Sequence, residues 1–70
     1  MFKEYELVRL KQPVPSIGLN AGAVGAIVMV YGDPPAYEVE FTDSSGATMA
    51  LLTLKEEEIE RAFRSSLELE

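Results

Sequence analysis

The 70-residue sequence predicts a mainly β fold, a small barrel of four to five antiparallel strands with a short C-terminal helix. Three observations predict it. A continuous β-branched and aromatic run, Ile27-Val28-Met29-Val30-Tyr31, is bounded by glycines at Gly25 and Gly32. Tyr37, Val39 and Phe41 alternate strictly with Glu38 and Glu40, the period-two pattern of a strand with one wet face. Asp43-Ser44-Ser45-Gly46 then reads as a tight hairpin turn, with Gly46 in the left-handed conformation. The composition, 47% hydrophobic and 26% charged, is that of a folded chain, because disordered segments are poor in aromatic and β-branched residues.

Taken in order, Glu4 to Leu10 forms a first, half-buried strand carrying Leu7, Val8 and Leu10 among charges at Glu6 and Arg9. Pro13 and Pro15 have no N–H to give to a ladder, so an extended connection follows to about Val24. Gly18, Asn20, Gly22 and Gly25 let the backbone turn sharply within it, and Gly25 is expected at a bulge. Val24 to Tyr31 is the second strand, apolar on both faces, and Gly32-Asp33-Pro34-Pro35 ends it. Ala36 to Thr42 is the third strand and pairs antiparallel with a fourth from Ala47 to about Leu54. Met49-Ala50-Leu51-Leu52 again puts apolar groups on both faces of that fourth strand.

From Lys55 to Arg64, Ile59, Ala62 and Phe63 fall at helical spacing. Thr53 and Glu56 have the spacing of a capping box. Glu56, Glu57 and Glu58 precede Arg61 and Arg64, the favourable order for the helix dipole. A helix of two to three turns is therefore expected. The competing reading of the same segment is a single 3₁₀ turn and a short fifth strand through Ala62 to Leu67, which would close the barrel. The whole chain, 1–70, reads as one domain with residues 65–70 as a frayed tail.

Strand, glycine-rich loop, then hairpin-linked strands is the order of SH3-like small barrels, and Gly22-Ala23-Val24-Gly25-Ala26-Ile27-Val28 resembles the Gly-x-Val-Gly-x-Ile/Val segment of KOW-type barrels. Over more of the chain, four blocks resemble a bacterial family of short proteins known as domain of unknown function 4926. They are Tyr5 to Leu10, Gly18 to Val28, Ala36 to Phe41 and Ala50 to Leu54, so the likeness covers about residues 5 to 54 and fades beyond Lys55. In that family the position of Ala23 is often acidic and that of Met29 often polar. Both are apolar here, which argues against a polar binding role at either. The resemblance implies a small SH3-like barrel. Because family members look like companions of neighbouring small proteins, it also implies an antitoxin- or immunity-like role by association.

Several function classes are excluded or disfavoured by the residues themselves. Without cysteine or histidine there is no disulfide framework, thiol nucleophile, imidazole base or Cys-ligated zinc, and the serines have no histidine to activate them. Glu38 and Glu40, about 7 Å apart on one strand face, have the pattern of a solvated strand rather than of an acid–base pair. With Asp43 they lack the spacing of a calcium loop. No catalytic residue, cofactor, metal site or small-molecule substrate is therefore assigned. No apolar run approaches the roughly 18 residues that cross a bilayer, and the start is not that of a signal peptide, so a cytoplasmic, non-membrane protein is expected. The formal charge of −6 opposes phosphate binding and weighs against the alternative of a nucleic-acid-binding KOW-like barrel, which would use Lys3, Arg9 and Lys11 with Tyr31.

A domain of this size is thinly stable. Burial contributes on the order of 100 kcal/mol, which ordering of the chain roughly cancels, and such domains often gain the remainder by association. The expected function is thus that of a non-catalytic protein-interaction module that self-associates as a homodimer or binds a protein partner. The interface residues would be Met29, Tyr31, Met49, Leu51 and Phe63, with Glu38 and Glu40 as an acidic rim that steers a basic partner. Against this stands the reading of a purely structural accessory domain, in which Ile59 and Phe63 fold back over those side chains and make them core.

Overall fold

The computed structural model describes residues 1–63. Five antiparallel strands form one sheet: β1 (Leu7–Leu10), β2 (Val24–Tyr31), β3 (Ala36–Thr42), β4 (Thr48–Lys55) and β5 (Ile59–Arg61). Their order across the sheet is β4-β3-β2-β1-β5. The sheet is therefore an open barrel, with β4 and β5 at its edges. It curls enough for all five strands to feed one buried cluster: Val8 and Leu10, Ile27, Tyr37, Val39 and Phe41, Leu54 and Ile59, joined by Leu19 from the long loop.

The alternation seen in the sequence fixes the sides. Tyr37, Val39 and Phe41 are fully buried, while Glu38 and Glu40 lie on the outer face. The hairpin from β3 to β4 closes as expected. The Gly46 N–H donates to the Asp43 carbonyl at 3.0 Å, and Gly46 has φ +88°. Asp43 Oδ1 also accepts from the Ser45 N–H (2.8 Å), the Ser45 hydroxyl (2.6 Å) and the Ala47 N–H (3.1 Å), which holds its carboxyl below the usual carboxylate range, the Ser45 hydroxyl contributing most.

Four expectations are corrected. β1 begins at Leu7, because Tyr5 takes φ +69° and residues 3 to 6 close a turn in which the Glu6 N–H donates to the Lys3 carbonyl. The proline loop contains a 3₁₀ turn, Pro15–Ile17, below an isolated bridge between Val14 and Leu19. Gly25 is not a bulge. A Cβ there would lie 2.7 Å from Val39 Cγ1, 2.8 Å from the Glu40 carbonyl oxygen and 2.9 Å from Phe41 Cδ1, so glycine is needed for β3 to approach β2. The bulge falls three residues later, between Ile27 and Met29, where Val28 has no partner opposite.

The fourth correction is the helix. Residues Glu56–Glu58 form a single 3₁₀ turn, tied by the Lys55 N–H donating to Glu58 Oε1 at 2.7 Å, and the chain then enters β5. An isolated helix of ten residues is marginal in water. The extended path gives more: Ile59 pairs with Leu10 and is buried to 1% exposure, and the Ala62 N–H donates to the Leu7 carbonyl at 3.0 Å. A 3₁₀ turn and a fifth strand do follow, as in the competing reading, but the strand is Ile59–Arg61 rather than Ala62 to Leu67, of which residues 64–67 lie outside the described residues, and it leaves the sheet open. Residues 65–70, expected to be frayed, lie outside the described residues.

Candidate functional site on the outer face of the sheet

Pairing register places the outward side chains in rows. One row crosses four strands as Leu7, Ala26, Glu40 and Leu51. A second runs Met29, Glu38, Thr53, and a third Tyr31, Ala36, Lys55. Met29 (46%), Tyr31 (45%), Met49 (53%) and Leu51 (56%) are all about half exposed. They are not core. The bulge at Val28 makes this possible, since Ile27, Met29 and Tyr31 would share one face of a regular strand, yet Ile27 is fully buried and the other two point out.

The face is not uniformly apolar. β3 runs between β2 and β4, so Glu38 and Glu40 stand in the middle of the apolar groups rather than at their rim. Each is anchored on its β4 side: the Thr53 hydroxyl donates to Glu38 and the Thr48 hydroxyl to Glu40. Thr53 therefore holds a carboxylate of the face and does not cap a helix.

Phe63 is apart from this group. It is 63% exposed but follows β5, the edge strand opposite β4. With Ile59 in the interior, neither residue folds over the outer face. Leu7 and Val24, each 44% exposed, extend the face onto β1 and the start of β2 and were missed from sequence. The signal for Leu7 was present: apolar residues at both 7 and 8 must point to opposite sides of one strand.

A second polar group sits at the opposite end of β3. The buried Tyr37 hydroxyl donates to Glu56 Oε1 at 2.5 Å and accepts from the Phe2 N–H at 3.1 Å. The Met1 ammonium pairs with Glu56 Oε2 at 2.8 Å, and the Phe2 ring meets Tyr37 edge to face at 5.5 Å. Burial, then the Glu56 bond, pushes the Tyr37 phenol up; the Met1 ammonium, then Tyr37, pulls the Glu56 carboxyl down. This network borders an open groove of about 640 Å³ lined by Pro34, Pro35, Ala36 and the Thr53–Glu58 segment. Glu56, which lines the groove, is already engaged by Tyr37 and the Met1 ammonium.

The carboxylates considered for a cation, Glu38, Glu40 and Asp43, are each engaged locally, and among the described residues no group of three or more acidic side chains is placed to hold a metal ion. Of the basic residues near β1, Arg9 pairs with Glu60 at 2.6 Å, and on β5 Arg61 pairs with Glu6 at 2.9 Å. Among the described residues no helix is long and apolar enough to cross a membrane.

These features define a class: a small open β-barrel with one sealed face and one half-exposed face that is apolar around two carboxylates. The chain belongs to the family described as Domain of unknown function (DUF4926), whose family model matches residues 4–61. The match continues past Lys55, where the likeness was expected to fade, through the 3₁₀ turn and β5. Neither the curated proteins nor the solved structures compared with the chain contain a match.

Proposed function

We propose that this chain is a non-catalytic protein-interaction module whose outer sheet face receives an apolar segment of a partner that also carries lysine or arginine. One observation carries the reading: two carboxylates fixed among Leu7, Met29, Tyr31 and Leu51 on a face that no described segment covers. The apolar groups give contact area, with methionine and tyrosine well suited to it. The glutamates select the sign of the partner, because leaving them buried and unpaired would be costly. A charge of −6 strengthens that selection at long range and repels nucleic acid. An antitoxin- or immunity-like inhibitor that covers a basic protein in the cytoplasm is the specific form of this reading.

Affinity capture from the native host tests it with two variants of equal charge. Met29→Lys alters the face, and Ile17→Lys alters an exposed position on the Pro15–Ile17 turn. The expected result is a basic protein held by wild type and by Ile17→Lys, lost with Met29→Lys, and released by salt. Capture that is the same on all three proteins, or no capture at all, overturns the reading.

A further inference from the structure

The two edges of the sheet differ sharply in how they are protected. β5 is three residues long, and two of the three are charged and ion-paired. Short length and charge are the usual defences of an edge strand against another chain. β4 has neither. It runs eight residues, has no glycine or proline, and carries no charge until Lys55 at its end. Its only ladder among the described residues is with β3; that ladder skips Met49, and from Ala50 to Lys55, where it is regular, every second backbone N–H and C=O of β4 points away from the sheet without a described strand to meet it. Ala50 and Leu52 pack on the core yet stay partly exposed along that edge.

We propose that β4 is a self-pairing edge, on which a second copy of this chain adds its own β4 antiparallel about a two-fold axis at Leu51, giving one continuous sheet through both copies. The sequence of the strand is self-complementary in that register. Leu51 meets Leu51 of the partner subunit and Ala50 meets Leu52 of the partner subunit, while Met49, at the register shift of the β3–β4 ladder, lies beside Thr53 of the partner subunit at the margin of the pairing. No like charges are brought close. Glu40 lies one strand inside Leu51, so the two Glu40 side chains stand three strand spacings apart, roughly 14 Å, which exceeds the Debye length of about 8 Å at physiological salt. About seven residues a side is well below the roughly 20–30 of a standard interface, so the dimer forms in a concentration-dependent way rather than as an obligate unit.

This pairing goes beyond the proposed partner site, and the sign of its salt dependence separates the two. Two chains of charge −6 repel, so added salt strengthens the dimer, whereas it weakens the binding of a basic partner. The experiment is sedimentation and hydrogen exchange across protein concentration, on wild type, Leu51→Lys, Leu51→Glu and an equal mixture of the two variants. Leu51 is 56% exposed, so both variants fold. The expected results are a wild-type dimer, alternate β4 amides whose protection rises with concentration, monomers for each variant alone, and recovery of a dimer in the mixture. A wild-type monomer at all concentrations overturns the proposal, as does β4 protection that does not vary with concentration. A dimer that persists in both variants alone places the contact elsewhere and overturns it equally.

Discussion

On the inner face of β3, Tyr37, Val39 and Phe41 are sealed to 1% exposure or less, while on the outer face of the neighbouring strands Met29, Tyr31, Met49 and Leu51 keep 45–56%. The two sets are similar in hydrophobicity and differ in what the fold needs from them. Removing an inner side chain leaves a cavity that a close-packed interior cannot refill, whereas an outer side chain loses only partial contacts. Stability and recognition are thus divided between opposite faces of the same strands.

The sharpest test of that division is a matched pair. Phe41→Ala is expected to cost about 3–5 kcal/mol, most of the stability of a domain this small, and Leu51→Ala less than about 1 kcal/mol. Denaturant titration of the two proteins measures both, and equal losses would collapse the distinction between the faces. Gly25→Ala follows in size. Its new methyl would meet Val39, Phe41 and the Glu40 carbonyl at under 3 Å, an overpacking penalty of about 1–3 kcal/mol, read as a lowered melting temperature.

The smallest effects are pH-dependent. Asp43 and Glu56 have lowered folded pKa values, so their contribution is fully present above the ordinary carboxylate range, about 4, and fades as pH falls through the folded values. Tyr37 is shifted the other way. Its contribution is present below about pH 10 and fades as pH rises toward the higher folded value. Thermal melts from acid to alkaline pH are expected to fall at both ends, and Tyr37→Phe is expected to lose the alkaline fall while keeping that due to Asp43 at the acid end.

How much of this the sequence disclosed depended on whether the cause was local. β2 and β3 have the expected boundaries because a β-branched run and a strict alternation are properties of the strands themselves. The outward position of Met29, Tyr31, Met49 and Leu51 was one of two registers that the pattern allowed. For Met29 and Tyr31 the choice rests on a bulge at Val28 that no glycine announces, and for Leu51 on its pairing with the outward Glu40. The Glu56–Arg61 segment misled for a different reason: Ile59, Ala62 and Phe63 do have helical spacing, and what overrides it is the unpaired edge of β1, some fifty residues earlier. Likewise, Glu38 and Glu40 were read as a rim, because their place between β2 and β4 is a property of strand order.

The unpaired residue at Val28 also bears on how relatives of this chain can diverge. Deletion of a single codon there would remove the bulge and restore regular alternation, with Met29 still opposite Glu38 and both Met29 and Tyr31 still facing outward. Loss of that one residue would therefore straighten β2 without changing which side chains the outer face displays. A family member one residue shorter at this point of the strand is expected to keep the equivalents of 29 and 31 on the outer face.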